Sequence, residues 1–156
     1  MRIDLLLNHT HFIDRISELK LKEFGYLVPN KTIDDVVNGL KEHCNDVSLP
    51  ITWVALEGQD FVGTFSIRAC DLPSHKHFAP WLGSLVVPPE KRNKGIGAYL
   101  VKQSEKIAAN MGYEFLYLFT PNKAAWYEKL GWEAVESLSF NNIPITIMQK
   151  SIFPKK

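Results

Sequence analysis

The chain changes its hydrophobic period several times, and each change marks an element. Ile3 to Leu7 is short and apolar and predicts a first strand. Phe12, Ile13, Ile16 and Leu19 then recur at helical spacing, in a helix that ends near Gly25. A second helix is predicted after Thr32, whose hydroxyl can cap it. Asp35 completes a capping-box-like signal, and Val36, Val37, Leu40 and Cys44 form the apolar stripe. From Ile51 the period shortens. ITWVAL and FVGTFSI flank the turn Glu57-Gly58-Gln59-Asp60, with Phe61, Gly63, Phe65 and Ile67 alternating with more polar neighbours, and together they predict a β-hairpin.

Trp81 to Val87 is mostly apolar and predicts a fourth strand, central in its sheet. A helix follows to about Met111, with Ile96, Leu100, Val101, Ile107, Ala108 and Met111 on one side and Lys102, Gln103, Glu105 and Lys106 on the other. Gly112 is placed to stop it. Glu114 to Thr120 predicts a buried strand, and Asn122 to Leu130 a short helix ended by Gly131. Trp132 to Phe140 and Ile143 to Gln149 predict a last hairpin across Asn141-Asn142. The order β-α-α-β-β-β-α-β-α-β-β describes an α/β (α+β) domain.

Composition narrows the functional classes. A chain of 156 residues suits one domain with a real core, here spanning residues 1–156. Apolar residues at 46% and charged residues at 22% are ordinary for a soluble globular protein. A net charge of +1 provides no global field toward nucleic acid or a membrane surface, so any anion-binding site must be local. Cys44 and Cys70 are too few for a disulfide framework and read as two reduced, buried thiols of a cytoplasmic protein. The first residues interrupt their short apolar run at Asp4 and then turn polar, which does not read as a signal peptide. No apolar run approaches the roughly 20 residues needed to span a bilayer.

The stretch PPEKRNKGIGAYL, residues 88–100, carries the sharpest chemistry. Lys91, Arg92 and Lys94 gather at the start of a helix, the end where the backbone already carries a partial positive charge. Strand, glycine-rich turn, helix is the arrangement that receives phosphates, because unpaired N–H groups point outward and glycine admits the ligand. The P-loop spelling is absent, and a Rossmann loop would need a third glycine where Leu100 stands. The spelling present is R-x-x-G-x-G: Arg92-Asn93-Lys94-Gly95-Ile96-Gly97. A bound pyrophosphate would reverse the local electrostatics and account for the cations.

This loop resembles the acetyl-CoA loop of the GNAT superfamily of N-acetyltransferases. A second motif, Trp126-Tyr127-Glu128-Lys129-Leu130-Gly131-Trp132, resembles the family's aromatic-Tyr-x-Lys-x-Gly-aromatic signature. The order of predicted elements matches the family over essentially the whole chain, and APWLGSLVV resembles members in which Pro-Trp precedes the acetyl-CoA strand. The resemblance implies a mixed central sheet of about seven strands flanked by about four helices. It implies acetyl-CoA as co-substrate, no metal, and transfer of acetyl to a primary amine of a small molecule or peptide. It places the pyrophosphate on Arg92, Asn93, Lys94, Gly95, Ile96, Gly97 and Ala98, and the pantetheine arm and oxyanion on the backbone of Leu85, Val86 and Val87. Tyr127 falls at the position of the general acid. An asparagine usually lies seven residues before that tyrosine; here Asn122 lies five before it and is left out of the site. Dimers are common in the family, so a homodimer is compatible with the resemblance.

A free phenol near pKa 10 and a thiol near 8.5 make full proton transfer uphill by roughly 2 kcal/mol, which suits Tyr127 to donating a hydrogen bond to the leaving thiolate. Asp71, His75, His77 or a water chain could take the proton of the acceptor amine. Cys70, Asp71, His75 and His77 lack the second paired cluster of a metal site. Phe24, Tyr26, Phe78, Trp81, Asn141 and Asn142 fall in the regions where the family builds its acceptor pocket, and no acidic run marks a polyamine or aminoglycoside site. A coenzyme A-binding module without catalysis is the second reading. Nucleic-acid binding is disfavoured by a basic footprint of only three cations.

Overall fold

Alternation along the second strand decides the layering. Trp53 and Ala55 belong to one core, Val54 and Leu56 to the other, so helices must cover both faces of the sheet. The computed structural model describes residues 1–153 and bears this out. Its elements are β1 (Arg2–Leu5), α1 (Ile13–Phe24), α2 (Ile33–Glu42), β2 (Ile51–Glu57), β3 (Asp60–Arg68), β4 (Trp81–Val86), α3 (Ile96–Asn110), β5 (Phe115–Thr120), α4 (Ala124–Lys129), β6 (Glu133–Phe140) and β7 (Ile143–Ser151). The strands form one mixed sheet of seven in the order β1-β2-β3-β4-β5-β7-β6. This is the expected fold class, with the expected order of elements.

Local chemistry explains the joints. The Thr32 hydroxyl accepts from the Asp35 N–H at 3.2 Å while the Asp35 carboxylate accepts from the Thr32 N–H at 2.9 Å, a complete capping box at the start of α2. Asn141 and Asn142 both take positive φ, 47° and 66°, the conformation a two-residue hairpin between β6 and β7 demands. Leu6, Ile13, Ile16, Leu40, Val54 and Phe61 form the core under α1 and α2. On the opposite face, Ile96, Leu100, Val101 and Ala108 of α3 meet Val62, Phe65, Leu116 and Leu118. A Cβ on Gly63 would lie 2.7 Å from Leu100 Cδ1, so only glycine lets α3 sit this close to β3.

Four details depart from expectation. β1 ends at Leu5, and Leu6 and Leu7 turn into a 3₁₀ segment. α3 stops at Asn110 and leaves Met111 exposed, while Ser104 joins the buried stripe by donating to the Val101 carbonyl at 2.6 Å. β5 alternates: Leu116 and Leu118 are buried, whereas Tyr117 and Phe119 lie under a separate aromatic cluster with Phe78 and Trp81. Cys70 is exposed and Cys44 half-buried, so the thiols are not the buried pair expected.

Candidate functional site

The sheet opens at its centre. β4 and β5 are parallel and share one register pair, Trp81 with Tyr117, beyond which the strands diverge. β4 carries an extra residue against β3: Ser66 faces Gly83, whereas Thr64 faces Val86. Ser84, in that bulge, takes a positive φ of 53°, which bends the strand away from its neighbour. A cleft of about 890 Å³ runs along this seam, lined at its middle by Leu85, Val86 and Val87 of β4 and by Leu118, Phe119 and Thr120 of β5.

At one end lies the glycine-rich loop. Asn93 and Gly95 both take positive φ, 63° and 79°, and Gly95 is the N-cap of α3. No side chain caps this helix and its first turn holds no acidic residue, so the dipole end is uncompensated where it meets the cleft. Arg92, Asn93, Gly95, Ile96, Gly97 and Ala98 line the cleft; Lys94 does not. Arg92 is used structurally as well. Its Nε donates to the Val87 carbonyl at 3.0 Å and its Nη2 to Glu23 Oε2 at 3.2 Å, tying the loop to β4 and α1. Arg15 pairs with Glu90 just upstream. A Cβ on Gly97 would touch the Trp126 ring at 3.4 Å, so glycine here admits α4 alongside α3.

α4 brings Tyr127 to the far wall. Thr120 Oγ1 accepts from the Lys123 N–H at 3.0 Å to set the turn before the helix. Behind it, Lys150 Nζ donates to the Leu130 carbonyl at 2.7 Å and pairs with Glu105 at 2.8 Å, which fixes the end of α4 against β7 and α3. Tyr127 is 8% exposed, wedged between Trp126 and Trp132, and lines the cleft. Burial pushes its phenol well above the usual range, so it stays protonated and keeps a hydroxyl hydrogen to donate.

The other end of the cleft lies between α1, α2 and the end of β3. Arg68 Nη1 donates to Asp71 Oδ1 at 3.2 Å and Nη2 to Ser84 Oγ at 2.8 Å. A Cβ on Gly83 would lie 2.7 Å from Arg68 Nη1 and 3.0 Å from Asp71 Oδ2, so this ion pair rests directly on the β4 backbone. His43 Nδ1 lies 2.9 Å from Thr52 Oγ1, itself 2.6 Å from Ser66 Oγ. Burial, then the charges of Arg68, Lys20 and Lys31, hold His43 down to about 3, so it remains neutral.

Of the residues weighed for the acceptor proton, Asp71 lines the cleft. His75 and His77 do not: His75 bonds Ser74 and Glu136, and His77 packs on Phe78. Phe24 and Tyr26 line the cleft, Phe78 and Trp81 pack elsewhere, and Asn141 donates to the Leu27 carbonyl at 2.8 Å beside a separate small hollow. Asn122 lines the cleft despite its spacing, as do Lys20, Arg68 and Trp126. Lys20 had a signal: Ile13, Ile16, Ser17, Lys20 and Phe24 follow one helical stripe, which places this lysine on the inward face. Among the described residues no group of three or more His, Cys, Asp or Glu could hold a metal ion, and no helix is long and apolar enough to cross a membrane.

Fold and cleft together define a class: a mixed α/β domain whose ligand cleft is the opened seam of its own sheet. The family model described as acetyltransferase (GNAT) matches residues 13–132. Similar crystal structures include an aminoglycoside 6′-N-acetyltransferase complexed with coenzyme A, at 24% identity and TM-score 0.78 over 100% of this chain and 99% of that one. An aminoglycoside 6′-acetyltransferase type Ii has 25% identity and TM-score 0.76, with 100% of each chain covered. A spermidine N-acetyltransferase from Vibrio cholerae, in complex with CoA and spermine, has 15% identity and TM-score 0.72 over 96% of this chain and 94% of that one. Comparison with curated proteins gives no match. The chain belongs to the GNAT acetyltransferase family and is an acetyl-CoA-dependent acyltransferase.

Proposed function

We propose that this enzyme transfers acetyl from acetyl-CoA to a primary amine of a small molecule or peptide, by direct attack of the free amine on the thioester carbonyl through a tetrahedral intermediate. The observation that carries the reading is the placement of Tyr127 and the uncapped start of α3 on one cleft, with the divergent β4 edge between them. The backbone of residues 92–98 would receive the pyrophosphate at the dipole end of α3. The side chain of Lys94, outside the cleft lining, contributes at most through its charge. The backbone of Leu85, Val86 and Val87 would hold the pantetheine arm and the developing oxyanion, the kind of preorganised donor whose loss costs about 10²–10³ in rate.

Tyr127 is suited to stabilising the departing thiolate by donating its hydroxyl hydrogen, and its raised pKa rules it out as a base at neutral pH. The test is release of coenzyme A thiol with a panel of amines, amino acids and peptides, run on wild type and Tyr127→Phe. The mutant should lose about 10- to 100-fold in kcat, the worth of one charge-assisted hydrogen bond, with KM for acetyl-CoA nearly unchanged. An unchanged kcat removes Tyr127 from the mechanism.

A further inference from the structure

The depth of the acceptor end carries a cation with no counterion. Lys20 lies on the inward stripe of α1, half-buried, and forms no ion pair among the described residues. The carboxylates around it are committed or peripheral. Glu23, one turn further along α1, is held by Arg92 at 3.2 Å. Asp71 is held by Arg68, also at 3.2 Å, and Asp35 is occupied in the capping box of α2. Glu42 is exposed at the rim, where Lys31 stands opposite in sign. His43 is neutral. Charges at the rim are screened by water and salt, whereas Lys20 acts in a less polarisable interior, so it sets the sign felt by a ligand.

We propose that the acceptor is a primary amine that also carries an anionic group, a carboxylate or a phosphate, which Lys20 receives with the Arg68–Asp71 pair beside it. The inference rests on the acetyl-transfer reading above and names the substrate class of that same site. Arg68 also bonds Ser84, the residue before Leu85, so the cationic groups border the stretch of β4 assigned to the acetyl carbonyl. A polyamine would bring further ammonium groups against Lys20 and Arg68, which is repulsive in a cleft of this depth. Burial first, then Arg68 and Lys31, hold Lys20 down to about 7, with Asp71 opposing in part. Its charge is therefore held against a penalty that an incoming anion would relieve.

The experiment compares matched acceptors by thiol release: glycine, L-leucine and L-phenylalanine against their carboxamides, O-phosphoethanolamine against ethanolamine, and spermidine. The carboxylate and phosphate arms separate the two sources of negative charge. In at least one pair the anionic member should exceed its neutral partner and spermidine by about tenfold or more in kcat/KM. Lys20→Met should erase that preference by raising the KM of the anionic acceptor about tenfold more than that of its neutral partner, with the KM for acetyl-CoA little changed. Should that variant fail to fold, Lys20→Gln reports the same readout, and the wild-type pairs test the substrate class on their own. Preference for the neutral amines or spermidine, or an anionic preference that survives loss of Lys20, overturns the inference. Thiol release with none of these amines, while acetyl-CoA still raises the Tm, overturns it too but leaves acetyl-CoA binding standing. No Tm shift with acetyl-CoA overturns the parent reading as well.

Discussion

Lys20 should make the fold less stable than it need be, and pH should reveal it. Its pKa falls from 10.5 to about 7 on folding, chiefly through burial. A full shift of that size corresponds to about 5 kcal/mol. Part of the side chain faces the water of the cleft, and that screening brings the figure to about 2 kcal/mol. Between pH 7 and 10.5 the unfolded chain keeps a proton on Lys20 that the folded chain has released, so stability rises with pH across this window. Lys20→Met removes the penalty. Urea denaturation from pH 7 to 9.5 should find the variant about 2 kcal/mol more stable at the lower end, with the gap closing as pH rises. The series stops short of pH 10, where Tyr127 and Tyr117, kept protonated by burial, pull stability down again. Parallel wild-type and variant curves, or a less stable variant at pH 7, would refute the claim that this charge is strained in place.

His43 should dominate the acid limb. Between pH 6.5 and about 3 the unfolded chain takes up a proton that the folded chain refuses, so stability falls as pH is lowered, and His43→Asn should recover about 2 kcal/mol of that loss by pH 4 in the same denaturation assay. Gly63→Ala drives a Cβ into the fully buried Leu100 and should cost about 1–3 kcal/mol in thermal denaturation, raising KM for acetyl-CoA as the start of α3 shifts. Arg92→Ala releases the loop from Val87 and Glu23 and should raise KM for acetyl-CoA several-fold with kcat little changed; an equal fall in kcat would place Arg92 in the chemistry itself.

The sequence made the fold legible wherever local chemistry and hydrophobic period agreed. Thr32 and Asp35, the Glu57–Asp60 turn and the Asn141-Asn142 turn each specify one geometry, and the element order followed from them. The loop end of the cleft was legible for the same reason: one short stretch, Arg92 to Ala98, supplies six of its lining residues. The opposite end of the cleft, where we propose the acceptor binds, was not. Lys20, His43, Arg68 and Asp71 come from two helices, a strand end and a loop, and only the packing of α1 on β4 and on α2 brings them together. Histidine is the residue type best matched to the proton of an amine, yet the aromatic cluster with Phe78 holds His75 and His77 outside the cleft. Asn122 was excluded by counting residues from Tyr127, a rule that the turn set by Thr120 overrides by bringing it to the wall anyway.

The single register pair between Trp81 and Tyr117 divides the molecule into two antiparallel blocks, β1 to β4 and β5, β7, β6. Each block owns a hairpin of neighbouring strands, β2 with β3 and β6 with β7. What joins them is the contact at Trp81, with α3 packed across both. Sheet edges left open on a surface invite a second chain, but these two face each other inside the molecule and diverge, so no further strand can zip along both. The cleft is in this sense where strand pairing was left incomplete, and its width is set by how the two halves come together.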